Sequence, residues 1–379
     1  MDFKLTEEQE ALKSMARDFA EGEIAPHAAE WDETGTFARS VFTKMGELGL
    51  AGMSCPEEYG GSPLSRVSTV IVLEEIARAD AGWATTLAVH IMVAGLIDRY
   101  GDDAQRRRWL PDMASGRHLG AFALTEPNAG SDAAAIRARA IRQGDEYVLD
   151  GTKTFVTSGG QAEVYSVMAK TDPTKRAEGM SCFIIGGDNP GFKVGKIEKK
   201  MGYNCSHTAE MVLDNCRVPV DARLGPEGIG FKVAMTALDG GRVNIGATAV
   251  GLSQAAFEVA ARYAKERTAF GQPIGQFQAI QFMLADMATQ IDAARLLVYR
   301  AADAFDQGLP ATVQAAKAKV FATDTAMKVT TDAVQILGGY GYVKEYNVER
   351  YMRNAKVTQI FEGTNQIQRI VIGRSIVGR

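Results

Sequence analysis

The chain has 379 residues, of which 46% are hydrophobic, enough for a large core spread over two or three domains. A formal net charge of −4 makes no electrostatic case for nucleic acid, and the local run Arg106-Arg107-Arg108 reads as a solvated helix face. Cys55, Cys182, Cys205 and Cys216 form no CxxC pair, and His27, His90, His118 and His207 lack ligand-spaced partners, so neither a disulfide framework nor a zinc site is expected.

Residues 1–118 have helical period. Thr6 and Gln9 make a capping-box pattern ahead of Leu12, Met15 and Phe19. A helix over residues 67–79 places Val70, Leu73 and Ala77 on one face. Within it, adjacent Glu74 and Glu75 point in different directions, so a solvated or capping role is expected for at least one. No apolar run is read as long enough to span a membrane, so no membrane insertion is expected. The start, Met1-Asp2-Phe3-Lys4, resembles neither a signal nor a transit peptide, which points to the cytoplasm, or to the mitochondrial matrix for a processed form.

The period changes over residues 119–227. Residues 147–153 read as strand, Asp150-Gly151 turn, strand, and residues 164–169 and 182–185 as further strands. A small antiparallel β-domain is expected. Residues 228–379 return to helix: Ile280, Met283, Leu284, Met287, Ile291 and Ala294 step at three and four, as do Val313, Ala316, Val320, Met327 and Val334. Helices, then strands, then helices predict an α+β fold with segregated layers.

Three stretches carry chemistry. In Gln359-Ile360-Phe361-Glu362-Gly363-Thr364, one carboxylate sits between an apolar run and a glycine. Apolar neighbours raise a carboxyl pKa toward neutrality, as a base in a dry site requires, although an acid before Gly-Thr also marks a plain helix boundary. Thr125-Glu126-Pro127-Asn128-Ala129-Gly130-Ser131-Asp132 is a tight loop. It offers backbone N–H groups and two hydroxyls to a polar heterocycle or phosphate, or is simply a surface turn. Gln335-Ile336-Leu337-Gly338-Gly339-Tyr340-Gly341 ends a helix, with Glu345, Arg350 and Asn354 following.

Together, in this order, these motifs resemble the acyl-CoA dehydrogenase family of flavoproteins, and the resemblance runs from about Leu5 to Arg374. Phe361 stands where the family has Tyr. The resemblance implies an N-terminal helical domain, a middle β-domain and a C-terminal four-helix bundle. It also implies FAD-dependent α,β-dehydrogenation of an acyl-CoA thioester. A base removes the α-proton, the β-hydrogen leaves as hydride to flavin N5, and the base's own backbone N–H helps polarise the thioester carbonyl.

The family's base lies either in the Glu-Gly-Thr motif or on a helix at the position matching Gly241, which has no side chain, so Glu362 is the candidate. By the same resemblance Phe122, Leu124, Thr125, Ser131, Phe155, Val156 and Thr157 meet the flavin. Arg267, Phe270, Gln278, Gln335, Gly338, Gly339, Thr364 and Gln366 meet the remainder of FAD, several of them in a neighbouring subunit. Ser131, Asp239, Arg242 and Gly363 are the expected acyl-CoA contacts. A homo-oligomer, usually a tetramer, and an electron-transferring flavoprotein as electron acceptor are further implications. The segments 198–204 and 238–245 are most similar to the isobutyryl-CoA dehydrogenase-like branch, which makes isobutyryl-CoA the leading substrate. Phe361 and 365–368 lean toward straight-chain short and medium members, and an acyl-CoA oxidase is a more distant reading.

Overall fold

In the computed structural model, which describes residues 4–378, helices and strands segregate along the chain. Six helices come first: α1 (Glu7–Phe19), α2 (Ala28–Thr34), α3 (Arg39–Glu47), α4 (Arg66–Ala79), α5 (Ala81–Tyr100) and α6 (Asp103–Ala114). The capping box of α1 forms as its sequence predicts, with Gln9 N–H donating to Thr6 Oγ1 at 3.2 Å and Thr6 N–H to Gln9 Oε1 at 3.0 Å.

Two expectations for this region change. Glu74 and Glu75 are both buried. Glu74 pairs with Arg295 of the C-terminal layer, while Glu75 accepts from Arg17 of α1 and, at 2.8 Å, from Arg78 of its own helix, so arginines replace water. And α5 is in fact long and apolar enough to cross a membrane by length and composition, but 89% of its window is buried inside the protein, so it is a core helix.

The strands are β1 (Gly120–Ala123), β2 (Arg139–Gln143), β3 (Glu146–Thr157), β4 (Val164–Lys170), β5 (Met180–Gly186), β6 (Phe192–Ile197) and β7 (Thr208–Pro219). They form one sheet in the order β1-β4-β2-β3-β7-β6, with β5 on β4. The sheet is mixed rather than purely antiparallel, because β4 pairs parallel with both β1 and β2. Asp150-Gly151 is no hairpin turn: β3 runs through it, with the register against β7 shifting between Leu149 and Gly151. A Cβ on Gly151 would lie 2.7 Å from Ala138 Cβ, so the glycine admits a neighbouring chain at a bulge.

The C-terminal layer contains α7 (Gly230–Glu266), a two-stranded ribbon β8 (Thr268–Ala269) and β9 (Gln272–Pro273), α8 (Gln278–Asp306), α9 (Thr312–Leu337), α10 (Val348–Thr358) and α11 (Asn365–Val377). Helices α7, α8 and α9 pack mutually, and α10 and α11 lie on α9. The axis of the site is α9, whose inward face is lined by Ala315, Ala316, Ala318, Ala322 and Ala326.

Candidate active site

Between α10 and α11 the chain doubles back, closed by Asn365 N–H donating to Gln359 O at 3.0 Å. At the tip, Glu362 and Gly363 are both left-handed, with φ of 53° and 82°. Glycine tolerates this; for glutamate it costs roughly 1–2 kcal/mol, so the surroundings must hold it. Gln368 Nε2 donates to Glu362 O at 3.2 Å and to Gly363 O at 2.9 Å, and Lys319 Nζ donates to Gly363 O at 3.0 Å. With both carbonyls drawn back toward α9 and α11, the backbone N–H of Glu362 has no acceptor among the described residues.

The Glu362 carboxyl is in a different condition. Its Oε2 is shielded from solvent and has no hydrogen-bond partner. Burial pushes its pKa up to about 7, against the opposing pull of Arg242 and Lys319. Arg242 is buried and steered by Asp239, whose Oδ1 accepts from its Nη1 at 2.6 Å. Helix α7 passes so close that a Cβ on Gly241 would lie 2.5 Å from Glu362 Oε2. Glycine at 241 therefore leaves the room that the carboxylate occupies. A carboxyl that titrates near neutrality, beside a free backbone N–H, can take a proton from carbon while a neighbouring carbonyl oxygen is stabilised.

The loop that carries Glu362 is joined to the sheet through one aromatic contact. Phe361 meets the buried ring of Tyr203 edge-on, with centroids 5.9 Å apart. Tyr203 is itself left-handed (φ 56°), and its N–H donates to Asn354 Oδ1 at 2.8 Å. The Tyr203 loop leads into β7, where Thr208 and Ala209 pair with Thr157 and Val156.

On that side of the sheet lie Phe122, Leu124, Thr125, Phe155, Val156 and Thr157. Thr154 N–H donates to Thr125 O at 2.9 Å, fastening the end of β3 to the loop after β1. Phe155 is left-handed (φ 56°) and 65% exposed, an aromatic ring without a protein partner to cover it. Beneath the loop, Glu126 accepts from Arg137 N–H at 2.6 Å, Ala138 N–H at 3.0 Å and Lys153 Nζ at 2.7 Å. Lys153 also donates to Leu124 O at 3.1 Å. Ser131 is exposed, beyond the turn.

A second set lies elsewhere. Arg267 sits over the Tyr340 ring at 5.6 Å. With Gly338, Gly339, Tyr263 and Tyr346 it lines a cavity of about 860 Å³ that none of the first set reaches. Gln278, at the start of α8, Gln335, at the end of α9, and Gln366 are exposed, and Phe270 is 96% exposed. One chain thus divides the predicted cofactor residues in two. An uncovered aromatic ring beside backbone and hydroxyl donors suits an isoalloxazine; a guanidinium over a glycine-lined hollow suits a pyrophosphate. Both sets fit the halves of FAD.

The sequence matches the descriptions "Acyl-CoA dehydrogenase, N-terminal domain" over residues 6–117, "middle domain" over 121–216 and "C-terminal domain" over 228–377. The chain belongs to the acyl-CoA dehydrogenase family. It is accordingly a flavoprotein oxidoreductase with FAD as its cofactor. It is 48% identical to an acyl-CoA dehydrogenase of Bacillus subtilis (strain 168), with 99% of each chain covered. It is 46% identical to the short-chain-specific acyl-CoA dehydrogenase of Clostridium acetobutylicum, covering 99% of this chain and all of that one. Against the mitochondrial isobutyryl-CoA dehydrogenase of Dictyostelium discoideum it is 43% identical, covering 98% of this chain and 90% of that one. Among solved structures, butyryl-CoA dehydrogenase from Megasphaera elsdenii superimposes with a TM-score of 0.97 at 45% identity over the whole of both chains. A chain solved under the description "Electron transferring flavoprotein of Acidaminococcus fermentans" gives 0.98 at 49%, also over the whole of both.

Several residues of this acyl-CoA dehydrogenase site escape sequence reasoning. Lys319 is fully buried, and its signal is a lysine set among Ala315, Ala316, Ala322 and Ala326 on an apolar helix face. Asn365 and Gln368, also buried, directly follow the Glu-Gly-Thr motif, but only the fold reveals what they bind. Glu126 and Lys153 are 27 residues apart in sequence, and nothing in their spacing announces the pair.

Proposed function

We propose that this enzyme α,β-dehydrogenates a four-carbon acyl-CoA thioester, with Glu362 as the base that removes the α-proton. The observation that carries this reading is the unpartnered Glu362 Oε2, shielded from water and titrating near neutrality beside a free backbone N–H. The N–H of Glu362 donates to the thioester oxygen and stabilises the charge that develops there as the α-proton leaves. Arg242 holds Glu362 ionised before the proton moves, and Asp239 keeps Arg242 turned toward the site. Phe361, packed on Tyr203, walls the loop and helps exclude water. Phe122, Leu124, Thr125 and the 155–157 strand would hold the isoalloxazine of FAD, which would supply a hydride acceptor for the β-hydrogen.

Straight-chain butyryl-CoA now leads over isobutyryl-CoA, the reverse of the sequence expectation. The short-chain-specific and butyryl-CoA relatives, at 46% and 45% identity, stand slightly above the isobutyryl-CoA one at 43%. Isobutyryl-CoA stays as the second reading because Asn204 and the Gly240-Gly241 pair match that branch. A homo-oligomer, a tetramer by resemblance, joins the two sets of FAD residues across a subunit boundary, consistent with the bare Phe270. An electron-transferring flavoprotein is the proposed acceptor, supported by the description under which a near-superimposable chain was solved.

Anaerobic bleaching of the flavin with butyryl-, isobutyryl-, isovaleryl-, hexanoyl- and octanoyl-CoA tests this reading. Fastest bleaching with butyryl-CoA supports it. A preference for isobutyryl-CoA selects the second reading, and no bleaching by any of them sinks the four-carbon thioester as substrate.

A further inference from the structure

Lys319 is the most deeply buried cation of the site, 0% exposed on the alanine face of α9. A lysine is costly there, and a leucine or methionine would fill the same seam without charge. Its hydrogen bonds run to Gly363 O at 3.0 Å and Asn365 Oδ1 at 2.9 Å. Both acceptors are uncharged, so no bonded carboxylate neutralises the ammonium. Asn365 is fixed in turn: its Nδ2 donates to Thr323 Oγ1 at 2.9 Å and Asp324 Oδ1 at 2.8 Å. The charges facing Lys319 are Glu362 from the turn, Asp324 from its own helix and Arg242 from α7. Asp324 is already engaged by Arg369 of α11 at 2.7 Å, which leaves Glu362 as the carboxylate without a partner of its own.

We propose that Lys319 is a positioning residue for the base turn, holding the Gly363 carbonyl and supplying a buried positive charge that keeps Glu362 ionised between turnovers. The proposal rests on Glu362 being the base. Burial lowers the Lys319 pKa to about 7, into the range where Glu362 titrates, so each charge supports the other. The hold and the charge are separable by experiment, because Gln368 Nε2 also binds Gly363 O, at 2.9 Å. Removing the ammonium therefore leaves the turn one of its two anchors.

The test is the pH dependence of single-turnover flavin bleaching by the best acyl-CoA, read on holoenzyme carrying Lys319→Met or Lys319→Gln. Loss of the charge raises the Glu362 pKa, so the acid limb moves to higher pH by about half a unit to one unit in both variants. Flavin content stays at the wild-type level and the alkaline plateau falls less than about tenfold, since the turn keeps Gln368. The charge role is overturned if the limb stays within about 0.2 unit of wild type, whatever happens to the plateau. It is equally overturned if neither variant yields flavin-loaded protein, which would make Lys319 a folding residue. Failure of the base assignment looks different: Glu362→Gln would then bleach as fast as wild type.

Discussion

The molecule buries two glutamate–lysine combinations and treats them in opposite ways. Beneath the loop after β1, the Glu126 carboxylate is saturated by two backbone N–H groups and Lys153, and the pair locks that loop to β3. At the base turn, Lys319 binds a carbonyl and an amide oxygen instead, and a carboxylate oxygen of Glu362 is left bare. The ingredients are the same, but the hydrogen-bonded carboxylate serves as scaffold, and the one with an oxygen left bare is driven by burial to a pKa of about 7, where it can trade a proton near neutrality. Burial depresses the lysine in both places, to about 8 for Lys153 and about 7 for Lys319, so what separates the two sites is what the carboxylate touches.

Three substitutions and one pH comparison break or sharpen this contrast. Glu362→Gln keeps the shape of the turn and removes the proposed base, so turnover should drop by about 10²- to 10⁴-fold while flavin content and acyl-CoA binding persist. Stopped-flow bleaching together with a ligand titration checks both halves. Lys153→Ala strands a buried carboxylate, with an expected loss of about 3–5 kcal/mol of stability and a looser flavin, read from denaturant midpoints and flavin content. Its effect on the pH profile of whatever turnover survives should be small, the inverse of the Lys319 result.

Gly241→Ala puts a methyl carbon into the space of Glu362 Oε2 and should lower turnover by about tenfold, with little change in melting temperature. The last comparison concerns pH and stability. The folded pKa of Glu362, about 7, lies above the 4.5 of an unperturbed glutamate, so the folded protein binds the extra proton between those values. That contribution is complete below about pH 4.5 and is lost as pH rises through about 7. The melting temperature of wild type relative to Glu362→Gln should therefore decline across this window; a flat difference would mean the carboxyl is better solvated than its surroundings imply.

The sequence discloses local devices well and pairings poorly. The Thr6–Gln9 capping box, the end of α9 at Gly338 and the long helices of the C-terminal layer are written in short-range periodicity, and they fold as read. Asp150-Gly151 misleads because a bulge and a hairpin turn require the same residues, and only the partner strand decides between them. Glu74 and Glu75 mislead because adjacent helix positions diverge, yet here both directions meet an arginine from another element. At the site, Glu362 stands out by its own neighbours. Lys319 does not, since its meaning depends on a carbonyl 44 residues away. The division of the cofactor residues into two sets is likewise invisible until the fold places Arg267 over Tyr340 and away from Phe155.

The closeness of Gly241 to Glu362 ties two positions together across 121 residues of chain. Any side chain gained at 241 takes volume from the carboxylate at 362, and a shortened residue at 362 opens volume at 241. Substitutions at these two sites are therefore epistatic: each is harmful alone, and the order in which they arise matters. A drifting lineage of this enzyme can fill position 241 only after, or together with, a concession at 362, so the pair should vary jointly or stay fixed.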